Sequence, residues 1–455
     1  MMETHLQSRT PQCEPRVPVS EVAAAQAATW DGVVHALCAH RADLAPRLTA
    51  YLEAHPADPV ARCVAGFVAL MSGRSDRLAD AAAAESVAGA IVGDTGGGPR
   101  ERGLLAALRA WREDRPLAAA AAFDRVLAGD PRDLLAIKLQ HALYLMTGAP
   151  RRMRHSLERV LPAWSANDAG AGFVLGCYAF GLEETGEFTR AEAAGRHAVT
   201  LQPDDAWAIH AVTHVFESQG RAREGLTWLA QQAPGYAGCS GFLGHVHWHR
   251  ALLHFQLEDF AAALDVFDAH VATPWAGDYR DMANAVSLLW RLESAGVDVG
   301  PRWQGLARIA AERVTDHRSA FALAHYVAAL AHGGDAPGVA RALAVVPDAA
   351  PADRAAISQA AAVAAVARPL CRGLVALQAG DATRAYAELA PIQPRLLRLG
   401  GSNAQRDLFV LMFVECALAA GESDAARGIL DARRRLRPHD PWIERRLHAL
   451  DHHVP

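Results

Sequence analysis

The sequence predicts an all-α protein, an α-solenoid of repeated helix-turn-helix pairs. Three observations carry this reading. Alternating strand patterns are almost absent, whereas Ala- and Leu-rich segments at helical spacing run along the 455 residues. Gly-Asp and Pro-Asp pairs break these segments. The breakers recur at a near-fixed interval: Asp114 to Gly148 and Gly186 to Gly220 each span 34 residues, and Gly148 to Gly186 and Gly220 to Glu258 each span 38. Such a period marks stacked helix pairs.

In chain order, residues 1–18 (MMETHLQSRTPQCEPRVP) read as a mobile tail without the apolar core of a signal sequence. Residues 19–99 read as degenerate helical pairs that end in the loop GDTGGGPRE at 93–101. Residues 100–280 are the core repeats, 281–365 are again degenerate, and 366–455 are C-terminal repeats with a capping helix, all in one continuous solenoid. The clearest unit, Val174 to Asp205, resembles the tetratricopeptide consensus: Gly186 at the turn, Ala179 where two helices approach, Ala191 and Ala198 at the small positions of the second helix, Pro203 at the end. Further units lie at 100–131, 206–234, 245–274, 366–391 and 407–438. One helix pair cannot bury its apolar face alone, so neighbours are expected to stack into a right-handed superhelix with a concave inner pocket.

Composition narrows the function. A net charge of −5 with interspersed signs argues against a nucleic-acid surface, and the RRRLR run at 433–437 reads as a solvated helix face. No stretch reads as the roughly 18 apolar residues of a membrane span. Seven cysteines without a CxxC pair indicate reduced thiols in a cytoplasmic protein. Lys138 is the single lysine among 45 basic residues.

The stretches RDLLAIKLQHALY (132–144), RVLPAWSANDAGAGFVLGCYAFGLEE (159–184), DAWAIHAVTHVFESQGR (205–221), HVHWHRALLHFQLED (245–259), DMANAVSLLWRLE (281–293) and GGSNAQRDLF (400–409) are similar to the tetratricopeptide repeat protein 38 family, over residues 20–445. The resemblance implies the architecture and a candidate pocket, and no particular reaction; Gly103, where a histidine is expected, is a departure. It also implies that the first helix of each unit turns repeat positions 2, 5, 9, 12 and 13 to the groove. His210, His214 and Glu217 then face inward at positions 5, 9 and 12, beside Phe173, Phe180 and Glu183 of the preceding unit, His245, Trp248 and Phe255 of the following one, and Lys138.

His210 and His214, at i and i+4 of one helix, have the spacing that lets two imidazoles reach one ion, with Zn or Fe the candidates and Glu217 a third ligand or a base. In the next unit His247, His254 and Glu258 share one face and His245 and His249 another; His254 is equally readable as a core residue. Lys138, Arg250, Arg291 and Arg406 are candidate anion holders, with Gln405 beside them and Asp281 and Asp407 as orienting groups or bases. The catalytic candidates are His210, His214, Glu217, Glu183 and Asp281; the ligand-binding candidates are Lys138, Tyr178, Phe180, His245, Trp248, His249, Arg291, Gln405 and Arg406. Tyr236 and Tyr279 are further lining candidates, Cys177 and Cys239 candidate nucleophiles, and Lys138 a candidate Schiff-base amine.

Against each chemistry stands a plain alternative: inter-repeat ion pairs for the arginines, small core residues for the cysteines, and a buried strip of imidazoles bonded to carboxylates of adjacent repeats. Two functions follow. One is a pocket over residues 138–290 that binds a small polar or anionic molecule and transforms it by acid–base or metal-assisted chemistry; the other is a scaffold whose groove accepts a peptide segment. Neither involves nucleic acid or a membrane.

Overall fold

In the computed structural model the protein is described over residues 21–239, 241–272, 279–316, 318–346 and 358–452. The expected N-terminal tail lies outside these residues. The described chain is all-helical, without a strand; one isolated bridge joins Arg41 to Cys239. Successive helices pack as pairs, among them Pro99–Arg112 on Pro116–Gly129, Ala171–Glu183 on Phe188–Leu201, and Ala206–Ser218 on Ala222–Gln231.

The local physics follows the breakers. Asp114, Gly148, Gly186, Gly220 and Glu258 all take the left-handed conformation, with φ of 56°, 63°, 83°, 69° and 58°. That conformation ends a helix and reverses the chain, and glycine adopts it without a Cβ penalty. Aspartates then restart the helices: Asp133 accepts from Ala136 N and Asp205 from Trp207 N. Small residues set the spacing within pairs, and Ala179, Ala191 and Ala198 are fully buried. The loop expected at 93–101 is shorter than its composition suggests. The Leu78–Thr95 helix runs into it and Pro99 opens the next helix, because proline at a helix start gives up an amide that has no partner there anyway.

The late helices return to the early ones. Gln359 N and Ala360 N donate to the carboxylate of Asp114 at 2.7 and 2.9 Å, Asn403 N donates to Glu184 Oε1 at 2.6 Å, and Gly401 N donates to Leu145 O at 3.0 Å. The Asn403–Ala419 helix thereby packs against Ala206–Ser218 and Tyr279–Ser294. The RRRLR run is a solvated face only in part: Arg434, Arg435 and Leu436 are exposed as expected, whereas Arg433 pairs with half-buried Asp407 and Arg437 donates to Ser218 O at 3.3 Å. Among the described residues one helical stretch, Gln359–Gln378, is long and apolar enough to cross a membrane by length and composition, where the sequence reading expects none, and just over half of it is buried inside the protein.

The closure is tightest where two left-handed glycines meet. A Cβ on Gly148 would stand 1.8 Å from Leu397 O, and one on Gly400 2.3 Å from Met146 O. Gly186 has the same backbone conformation with nothing within 4 Å of its Cβ position. Gly148→Ala should therefore cost at least about 2 kcal/mol more than Gly186→Ala, the difference being the backbone collision. Urea unfolding of the two variants measures this, and equal losses would contradict the closure.

Candidate functional site

The Ala206–Ser218 helix is buried from Ala206 through Glu217, so every side chain on it meets protein. A helix buried all round is normally apolar all round; this one carries His210, His214 and Glu217 at 2, 0 and 2% exposure. The Phe242–Gln256 helix packs against it and brings His245 and His249, again one turn apart and buried. Two i, i+4 histidine pairs on facing helices thus meet.

The meeting is through one kind of atom. His210 Nε2 lies 2.8 Å from His214 Nε2 and 3.0 Å from His245 Nε2. One nitrogen from each of His210, His214, His245 and His249 lies within 4.8 Å of the others. Outside this ring, two Nδ1 atoms are held by acceptors, His249 by Glu217 Oε2 at 2.8 Å and His245 by Asn284 Oδ1 at 2.9 Å; His214 Nδ1 stands 3.4 Å from Glu183 Oε2 as an ion-pair contact without a hydrogen bond. Ser218 Oγ donates to the other oxygen of Glu183 at 3.0 Å. An Nδ1–H given to a carboxylate or amide oxygen leaves the Nε2 of the same neutral ring as a lone pair. The Nε2 lone pairs of His245 and His249 therefore point towards His210 and His214. A single proton on His210 Nε2 satisfies only one of its two close contacts.

Burial sets the charge state. It pushes His210, His245 and His249 well below the usual histidine range, with the neighbouring imidazoles adding to the effect. Burial opposes charge on His214 as well, but Glu183, Glu217 and Glu184 outweigh it and raise this one. Burial also raises Glu217, with Arg437, His214 and Arg291 opposing, and it carries Glu184 up to about 7 against the pull of Arg406. Glu183, Glu184 and His214 form a second close group, but Arg406 Nη2 already donates to Glu184 at 3.1 Å.

His210 and His245 are also walls of a cavity that is partly open to solvent. Its lining includes Lys138, His40, His141, Trp207, Phe242 and Gln405, with Phe180, Tyr279 and Arg280. The sequence-derived set divides here. Lys138, Phe180, His210, His245 and Gln405 reach the cavity; His214, His249, Glu183 and Glu217 belong to the cluster behind it; Trp248 backs His245 as a stacked ring at 5.1 Å.

Other placements need correction. Glu217 faces His249 Nδ1 instead of the nitrogen ring, so His245 and His249 complete the possible ligand set in its place. Tyr178 turns outward to Arg190, its hydroxyl 2.7 Å from the guanidinium, and Tyr236 donates to Leu229 O. Asp281 sits beside Gly244 at the start of its helix, outside the cavity lining. The cationic group does not converge. Arg291 bonds Ser287 and Asp407, Arg406 bonds Glu184 and Asn403, and Arg250 acts electrostatically on Tyr236, His247 and His270. His247 stacks on His270, Glu258 pairs with Arg445, and His254 contacts Asp259 at 3.2 Å at the end of its helix instead of packing in the core. His40, His141, Trp207, Phe242 and Asn284 escape a reading of the sequence; each is an isolated residue whose role arises only when distant helices meet.

The described molecule is thus an all-helical protein with a buried four-histidine cluster on the wall of an aromatic cavity. No known protein-family model matches the chain.

The six described cysteines are free and buried. Burial pushes Cys177 up to about 11 and Cys239 up to about 12, which leaves both as thiols at neutral pH and removes them as nucleophiles. At pH 8 iodoacetamide should leave Cys177 and Cys239 unmodified in the folded protein and modify both in guanidinium. Peptide mass analysis reads this out; rapid native labelling of either would restore a reactive-thiol role.

Proposed function

We propose that the four histidines hold one divalent ion, Zn(II) or Fe(II), and that the adjoining cavity presents a small anionic molecule to it. The observation that carries this is the convergence of Nε2 lone pairs in a dry site. Facing lone pairs repel, and a cation between them turns that repulsion into coordination. The two shortest Nε2–Nε2 separations, 2.8 and 3.0 Å, would have to widen by about 0.3–0.6 Å to reach the tetrahedral edges of about 3.3–3.4 Å that go with metal–imidazole bonds of about 2.0–2.1 Å. Glu217, Glu183 and Asn284 on the outer nitrogens match the support that metal-ligating histidines ordinarily receive. A bound divalent ion would supply Lewis acidity to an oxygen of the bound molecule or of water. The chain's own groups would fix the ring tautomers, exclude solvent and balance the charge through Glu183 and Glu217.

We also propose that the helix pairs are tetratricopeptide-type repeats in a right-handed superhelix of the tetratricopeptide repeat protein 38 kind. The left-handed turns at the repeat interval support this. The peptide-scaffold alternative draws no support from an inner face already occupied by the Asn403–Ala419 helix.

Purified protein should carry about one equivalent of Zn or Fe by plasma mass spectrometry. His210→Ala and His249→Ala should each lose it, while Glu217→Gln should weaken affinity about 10–100-fold. A metal-free protein that also fails to take up either ion on titration would replace the metal by a proton held among the imidazoles.

Protons compete with the ion. His214, the raised member, gains its proton first as pH falls, so occupancy should be highest at alkaline pH and decline on acidification, with the loss beginning above the ordinary histidine value of about 6.5. Equilibrium dialysis across this range checks the sign; occupancy that rises on acidification would contradict the assignment.

A further inference from the structure

Lys138 is the only lysine of the chain, and it is 7% exposed. Its Nζ has no hydrogen-bond partner and lies 5.1 Å from the centre of the Trp207 ring, on the cavity wall. A buried ammonium without a paired carboxylate is expensive. Asp205, a carboxylate that feels its charge, spends one oxygen capping its own helix at Trp207 N and leaves the other without a partner.

Two more polar groups face the same space unsatisfied. His40 Nε2 and both ring nitrogens of His141 are buried and without partners. Burial, with the Lys138 charge next, holds both rings well below the usual histidine range, so they act as neutral donors. His40 reaches its place at φ +54°, a strained conformation for a residue with a Cβ, and stacks on Phe242 at 4.5 Å and on Trp207 at 5.5 Å. Met71, Leu145, Met146, Phe180 and Phe242 give the cavity an apolar wall, and Arg280, Ser402 and Gln405 lie elsewhere on its lining. Trp207 bridges the two ends, since its ring centre is 5.0 Å from that of His210.

We infer that the cavity binds a small apolar monocarboxylate, its carboxylate on Lys138 Nζ with His40 and His141 as neutral donors, and its apolar body along Trp207, Phe180 and Phe242 towards His210 and His245. Lys138 Nζ is the cation on this wall without a hydrogen-bond partner, Arg280 being a second cationic residue of the lining, and an aromatic wall suits an apolar body. Inorganic phosphate has no apolar body to place on that wall. The inference rests on the metal-centre reading only for what the far end of the ligand meets.

The probes are benzoate, 4-phenylbutyrate and inorganic phosphate, titrated calorimetrically into the protein as purified. At least one of the two carboxylates should bind one per chain, with Kd raised tenfold or more in Lys138→Met while metal content stays at the wild-type level; phosphate should bind at least tenfold more weakly. Wild-type protein supplies a second readout that needs no folded variant. As the only lysine, Lys138 is the one side-chain amine open to trinitrobenzenesulfonate, and a bound carboxylate should slow its modification several-fold. Binding of neither carboxylate, unchanged Kd in Lys138→Met, phosphate binding as tight as the carboxylates, or no protection of Lys138 would each overturn the inference. Lys138-dependent carboxylate binding by protein that contains no metal would uphold the pocket while refuting the metal reading.

Discussion

Four imidazoles share a volume from which water is excluded, and the surrounding structure depends on how their nitrogens are satisfied. Dry imidazoles resist charge, so His210, His245 and His249 stay neutral, and each neutral ring must place one proton and one lone pair. Glu217 and Asn284 decide that placement for His249 and His245, while Glu183 faces His214 at 3.4 Å and favours its charged form. The carboxylates are themselves buried and need partners in turn. Ser218 donates to Glu183, and Arg437 stands 3.8 Å from Glu217. The chain of dependence thus runs from a ring of nitrogens outward to a residue more than two hundred positions away.

That dependence gives the late helices their role. Without them the histidine strip would stand in water, where imidazoles titrate near their ordinary value and need no fixed tautomer. The Asn403–Ala419 helix and the turn before it cover the strip. Glu184 anchors them through Asn403 and Arg406, and the paired glycines at 148 and 400 let two backbones approach within a distance that no side chain tolerates. The same covering helix completes the cavity through Ser402 and Gln405. Fold closure, site dryness and cavity shape are therefore one structural event.

The sequence exposes the parts of this that are local. The five breaker positions are legible because a left-handed turn needs Gly or a short polar residue, and the His210/His214/Glu217 stripe because helical periodicity places i, i+4 and i+7 together. His245 and His249 are visible as a pair, yet nothing in their own segment says that they meet His210 and His214. Glu217 is misread as a ligand because spacing gives its face and not its depth; in three dimensions it supports a histidine of the next pair. Arg291 and Arg406 look like anion holders until burial matches each with an acid from a remote helix. Lys138 stands out by composition, while its companions His40 and His141 have no local signature and are joined to it only by tertiary packing.

The central claim is that four neutral imidazoles converge on one ion. X-ray absorption at the Zn and Fe edges of the purified protein measures this directly. The account predicts a first shell of four imidazole nitrogens at about 2.0–2.2 Å, with the outer-ring scattering of histidine. A shell dominated by carboxylate oxygen or thiolate sulfur, or protein that binds neither metal at all, would contradict it.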